Sequence, residues 1–205
     1  MSLKRTIEPT ELPIAIEEVK DHIRWESAGG DQAQIALYMR SAVQQMDGAE
    51  GLLNRALVTQ TWELTLDDFP APHRRWPTKA APIKIPLPPL QSITSLQYID
   101  TAGTLQTWSS SNYKVLNVDS PSRGGLIEPA FGEVWPSTRH ESENVTITFI
   151  CGYGTRESVP EPIRHLLLFA VADAYDGRSP VDAKPWMRTP AYQGLFQLAR
   201  YLVSP

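Results

Sequence analysis

The side chains best suited to metal binding and proton transfer are few and scattered along this sequence. Its four histidines, His22, His73, His140 and His165, include no pair four residues apart, and none stands at zinc-ligand spacing from the single cysteine, Cys151. Zinc sites draw on closely spaced His and Cys ligands. The sequence therefore predicts no metal site and no bound cofactor.

Four further groups are compatible with chemistry, and for each we favour a structural interpretation. Asp67 and Asp68 could form an acid pair or a cation site, but the Phe-Pro that follows them favours a strand end. Residues 152–155 (GYGT) lack the ending of a phosphate loop and are typical of a strand that leaves through two glycines. Residues 109–111 (SSS) lack a nucleophile elbow. Cys151 lies in an apolar run, where a small buried residue is the usual outcome.

Several residues are better suited to contact than to chemistry. Residues 73–76 (HRRW) form the one compact basic and aromatic cluster, and Trp135 precedes a proline in a long loop. Arg and Trp are favoured anchors at interfaces, although an ordinary exposed loop explains the cluster equally well. The interface candidates are Arg74, Arg75, Trp76, Trp135, Tyr192, Phe196 and Tyr201.

Composition restricts the class of protein. The chain has 205 residues, 41% of them hydrophobic, and a formal net charge of −4. These values suit one domain, or one domain with a small appendage, and they do not support a basic face for strong nucleic-acid binding. Residues 1–13 contain no apolar signal core, and the longest apolar run, residues 166–172, is far shorter than the roughly 20 residues of a membrane span. We expect no secretion signal, no membrane contact and a reducing compartment.

Apolar periodicity predicts helices near both ends of the chain. Residues 14–25 carry a short apolar stripe, and residues 31–53 carry a longer one that predicts a helix of about 34 Å ending at Asn54. Two more helices are predicted at residues 160–177 and 190–203, the first ending near Gly177 and Pro180.

Between the helices the apolar period changes to that of strands. The predicted strands cover residues 57–66, 83–87, 92–100, 105–108, 113–118, 125–128 and 145–153, and residues 101–104 form a hairpin turn with glycine. Segregated helices and strands predict an α+β fold. We expect residues 1–205 to form one domain, in which helices in 14–54 and 160–203 pack as a bundle around an inserted antiparallel sheet or small barrel in 56–153.

Several segments, in order, resemble the head–tail connector (adaptor, or head-completion) family of tailed bacteriophages. Residues 49–62 (AEGLLNRALVTQTW) resemble its helix with an Ala-Glu pair that runs into a strand with a Gln-Thr step. Residues 64–70, 83–96, 98–103, 132–136 and 145–154 continue the resemblance, and Val159 to Ile163 (VPEPI) before an apolar helix completes it. Two departures are Asn54, where the family often has glycine, and the longer basic excursion at residues 71–82.

The resemblance implies a structural virion protein and no enzyme. Connectors of this family form a ring below the portal, with twelve copies expected, extend the DNA channel and dock the next neck or tail protein. DNA would pass through without specific binding. The implied location is the virion, assembled in the cytoplasm of the host bacterium.

Two alternatives remain open. One is a tail-completion or stopper protein of the same particle. The other is an intracellular enzyme with an unrecognised site built on Cys151, Asp67 or His165.

Overall fold

The computed structural model describes residues 1–25, 32–71, 80–139 and 141–176, together with Gln193, Gly194, Phe196 and Gln197. The chain divides into two compact units. The β unit comprises Met1–Glu8 and Thr59–Gly152, and the helical unit comprises Pro9–Val58 and Tyr153–Pro205. No described helix has both the length and the apolar character that a membrane crossing requires.

The helical unit contains three described helices that share one apolar core. They are α1 (Ile16–His22), α2 (Gln32–Met46) and α3 (Glu161–Asp176). The apolar stripes predicted for these helices are confirmed for most of their members, which lie in or against a common cluster, whereas Ala49 and Ala174 are exposed. That cluster includes Ile14, Val19, Ile35, Met39, Val43, Met46, Ile163, Leu166, Leu167 and Val171.

Polar contacts fix the starts of α1 and α3. Glu18 accepts the backbone N–H of Ala15 at 2.7 Å, which satisfies a donor at the first turn of α1. The same carboxylate pairs with Arg164 of α3, whose guanidinium also contacts Glu161 at 2.9 Å. An ion pair between side chains, Glu18 with Arg164, therefore joins the two helices.

The expectation that the second helix runs to Leu53 is wrong. α2 ends at Met46, so its length is about 22 Å rather than 34 Å. The chain turns at Gly48, which has φ +83° and donates its N–H to the carbonyl of Arg55 at 2.7 Å. Asn54 does adopt the left-handed conformation, with φ +49°, but it closes this loop and not the helix.

Buried polar side chains hold the loop that follows α2. Arg55 is fully buried and donates a hydrogen bond to the hydroxyl of Tyr153. Its guanidinium carbon lies 5.7 Å from the centroid of the Tyr153 ring. Burial lowers the pKa of Arg55, an effect that Tyr153 partly offsets, and burial raises the pKa of Tyr153. Asp47 accepts the N–H of Leu57 at 2.8 Å. These contacts tie both ends of the loop to buried groups of the helical unit.

The β unit contains eight described strands in two antiparallel sheets. The strands are β1 (Ser2–Ile7), β2 (Gln60–Leu66), β3 (Ile83–Ile85), β4 (Leu90–Ile99), β5 (Leu105–Thr107), β6 (Tyr113–Leu116), β7 (Gly125–Pro129) and β8 (Val145–Cys151). One sheet has the order β1-β2-β8-β4-β5, and the other has the order β3-β7-β6. The α+β class is confirmed, and the strands form two sheets rather than one.

The larger sheet is centred on β8. Trp62 of β2 pairs with Phe149 of β8, and Leu64 pairs with Ile147. Alternate residues of β8, from Val145 to Cys151, are buried, as expected for strands with one face against a core.

Two differences from the sequence prediction concern the ends of the chain. β1 was not predicted, because SLKRTI has no clear apolar alternation, yet it pairs with β2 at the sheet edge. The predicted helix at residues 190–203 lies mostly outside the described residues. Its four described members are helical.

Candidate interaction surfaces

Five aromatic rings form a cluster at one end of the β unit. Phe69 stacks on Trp135 with 4.9 Å between the ring centroids, and Trp108 lies 5.0 Å from Trp135. Tyr98 contacts Phe69 at 5.8 Å, and Tyr113 stacks on Trp108 at 5.7 Å. The cluster attaches the long loop after β7 to the ends of β2 and β4.

Trp135, an interface candidate from the sequence, is half-buried in this cluster. Its indole N–H donates to the carbonyl of Ala81 at 3.0 Å, so both its ring and its donor are engaged within the β unit. In the structure Trp135 anchors the loop. Only the exposed part of its side chain is available to a partner.

Asp67 and Asp68 lie at the end of β2, where they bind the same loop region. Asp68 accepts the N–H of Phe69 and the hydroxyl of Thr138, each at 2.7 Å. Asp67 accepts the N–H of Glu143 at 3.2 Å. The interpretation of this pair as a strand end is confirmed, with the addition that both carboxylates hold neighbouring chain.

The loop between β7 and Trp135 presents two apolar side chains to solvent. Phe131 is 100% exposed and Val134 is 74% exposed. We call residues 130–134 the Phe131 turn. Phe131 is not among the interface candidates predicted from the sequence, although the Gly132 that follows it favours a turn at this position.

The other interface candidates have different placements. Arg74, Arg75, Trp76, Tyr192 and Tyr201 lie outside the described residues. Phe196 is partly buried and packs against the apolar core of the helical unit.

Comparison with solved structures finds chains of gene transfer agent (GTA) particles. One, from the neck of an empty particle computed with C6 symmetry, has a TM-score of 0.74 and 20% identity, covering 100% of this chain and 96% of that one. Another, from the virion of a native particle, has a TM-score of 0.73 and 22% identity, covering 98% and 95%. A third, from a native neck computed with C12 symmetry, has a TM-score of 0.70 and 22% identity, also covering 98% and 95%.

This chain has the fold of a GTA neck protein. At such identities the likeness establishes the fold, and it extends over both units. It agrees with the resemblance of the sequence to connectors of tailed phages, since GTA particles are phage-like. The sequence matches no protein-family model and no curated protein.

Within the β unit, the candidate catalytic residues Cys151 and Asp67 lie at opposite ends of β8. Cys151 is fully buried and pairs with Gln60 at one end of β8, whereas Asp67 follows Leu66, which pairs with Val145 at the other end. The two ends are about 20 Å apart. His165 is exposed on α3, with its ring 5.8 Å from Phe169.

The glycine-rich segment at residues 152–155 and the serines at residues 109–111 also have structural roles. Residues 152–155 leave β8 through Gly152 (φ +118°) and Gly154 (φ +114°), as predicted. Ser109 accepts the N–H of Ser111 and caps a short 3-10 turn. Among the described residues, no group of three or more His, Cys, Asp or Glu could hold a metal ion.

Proposed function

We propose that this chain is a structural, non-enzymatic subunit of the neck of a phage-like particle. It forms the head–tail connector ring below the portal, extends the DNA channel and docks the next neck or tail protein. The observation that carries this proposal is the fold shared with GTA neck proteins, which covers 98% to 100% of this chain and 95% to 96% of those chains.

Ring symmetry supports the proposal of many copies. The GTA necks were computed with C6 and C12 symmetry, and twelve copies satisfy both. A closed ring of identical subunits needs two different, complementary faces on each subunit, which is a heterologous interface. A chain with two compact units and several exposed apolar side chains offers such faces.

The charge of the chain is compatible with a DNA conduit. Its formal net charge is −4, so a ring of many copies is acidic overall. An acidic wall repels phosphates and does not retain DNA by nonspecific attraction. We therefore propose that DNA passes without specific binding.

Direct binding to the portal distinguishes a connector from a stopper. The purified chain is mixed with the purified portal ring of the same particle, and the mass of the complex is measured by native mass spectrometry. A connector binds the isolated portal in twelve copies, with no other neck protein present. A stopper leaves the portal bare and binds only after another neck protein has been added.

The C-terminal aromatic residues are proposed as portal contacts. These are Tyr192, Phe196 and Tyr201, of which Phe196 also packs against the helical core. Truncation before Pro190 tests this proposal, with unfolding of the truncated chain monitored in parallel. Unchanged portal binding would remove these residues from the contact.

We propose Arg74, Arg75, Trp76 and Trp135 as contacts with neighbouring subunits or neck proteins.

A further inference from the structure

The Phe131 turn is a projecting apolar feature of the β unit. The side chain of Phe131 is 100% exposed, and Val134 beside it is 74% exposed. Isolated surface leucines or valines need no explanation, but a fully exposed aromatic ring next to a second exposed apolar side chain is typical of a contact site.

The turn is held rigidly in this projecting position. Glu133 donates its N–H to the carbonyl of Ala130 at 3.0 Å, and Gly132 at the third position has φ +86°, which is the geometry of a type II turn. Ala130 donates to the carbonyl of Asn112 at 2.8 Å on one side, and Trp135 stacks on Phe69 on the other. A pre-organised side chain loses little entropy on binding.

The surroundings of the turn have the composition of an interface. Beside Phe131 lies a recess of about 320 Å³, which is lined by Lys114, Glu128, Pro129 and Glu133, among others. An apolar centre with a charged rim is the usual arrangement at protein–protein contacts.

A complementary surface is present on α2. The exposed residues of this helix are Gln32, Ala33, Gln34, Leu37, Arg40, Ser41, Gln44 and Gln45. Arg40 is the only charged residue among them, and Leu37 is 55% exposed at the centre of the face. The solvent-facing side of a helix ordinarily carries several charges of both signs, so this face is also typical of a contact.

We propose that the Phe131 turn of one copy packs against the exposed face of α2 in the next copy of the ring. Phe131 and Val134 cover Leu37, and the exposed Glu133 pairs with the exposed Arg40. The occupant is a second copy because the two faces are different parts of the chain, each displays an exposed apolar side chain, and Glu133 and Arg40 carry opposite charges, as a heterologous ring contact requires. The proposal rests on the proposed ring.

The first test replaces the apolar projection and measures copies of the chain bound per portal ring by native mass spectrometry. Phe131→Ser should lower the affinity of ring formation at least tenfold and leave the melting temperature unchanged, because the side chain is fully exposed. Leu105→Ser is the matched control, since Leu105 is 63% exposed in the same unit but outside both faces, and it should assemble as the wild type does.

The second test identifies the occupant. Glu133→Arg and Arg40→Glu should each weaken assembly, and the double variant should recover it. In addition, Phe131→Cys with Leu37→Cys should give a ladder of disulfide-linked oligomers, while the native Cys151 is fully buried and does not interfere. Efficient dimers of Phe131→Cys alone would indicate a symmetric contact and overturn the proposal.

Failure of the proposed contact and failure of the proposed function would give different results. If the wild type forms a ring on the portal and Phe131→Ser forms it equally well, this contact is wrong and the proposed function stands. The same holds if Phe131→Ser keeps the ring and loses only the next neck protein. If the wild type forms no ring at all, the proposed function fails and this contact fails with it.

Discussion

Asp47 connects the end of α2 to the chain that enters the β unit. Its carboxylate accepts the N–H of Leu57, a fully buried residue, at 2.8 Å. Asp47→Ala removes this acceptor from a buried donor and should lower the free energy of unfolding by about 1–3 kcal/mol. Urea denaturation measures the change. Glu50→Ala, at an exposed position in the same loop, is the control and should change it by less than about 0.5 kcal/mol.

Asp100 organises the hairpin turn between β4 and β5. Its carboxylate accepts the N–H groups of Thr104 and Ala102 and the side-chain amide of Gln106, each at 2.9 Å. The bond from Thr104, followed by that from Gln106, lowers the pKa of Asp100 below its ordinary value.

The sign of the resulting pH dependence follows from this lowered pKa. The carboxylate stabilises the folded hairpin above the ordinary aspartate pKa of about 3.9, and the stabilisation is lost as the pH falls through the lower folded value. An NMR titration should give a midpoint for Asp100 below that of an unstructured aspartate, with the Thr104 amide shift following it. A midpoint at or above the ordinary value would contradict the described turn. Asp100→Asn should abolish the pH dependence of the amide shift.

At the scale of elements, the turn after α2 leaves no room for a side chain at Gly51. A Cβ there would lie 2.5 Å from the carbonyl carbon and oxygen of Met46, which are backbone atoms. Gly51→Ala should therefore lower the free energy of unfolding by about 3 kcal/mol. Gly132→Ala is the comparison, because it has open space but φ +86°, and it should cost about 1 kcal/mol. Equal effects in chemical denaturation would argue against the described end of α2.

Periodicity predicted the elements whose apolar residues face one core. The stripes of α2 and α3 and the alternation in β8 belong to this group. It did not predict where α2 ends, because Ala49 and Leu53 continue the helical spacing while Gly48 and the buried Arg55 stop the helix. β1 was not predicted for a related reason: this edge strand is positioned by its pairing with β2 and not by an apolar pattern of its own.

The candidate surfaces were only partly predictable from the sequence. Trp135 was singled out because its residue type favours interfaces, and in the structure it anchors a loop by stacking on Phe69. Phe131 was missed because a lone Phe beside Gly carries no periodicity. Its exposure depends on the turn and on the cluster behind it, which are tertiary features.

At the scale of the whole molecule, the neck-protein fold covers both compact units. The likeness extends to 100% of this chain and 96% of a GTA neck chain, so neither unit is an unmatched addition. In the proposed ring each subunit would use two different faces, which would fix its copy number and its orientation along the channel. The formal net charge of −4 per copy is compatible with this proposed location.

A symmetric reconstruction of the neck in purified particles tests whether this chain is a connector subunit. We expect density for twelve copies of this chain in one closed ring around the DNA channel, immediately below the portal. A complete neck that lacks this polypeptide, or that holds it as a single copy away from the channel, would show that the chain is not the connector.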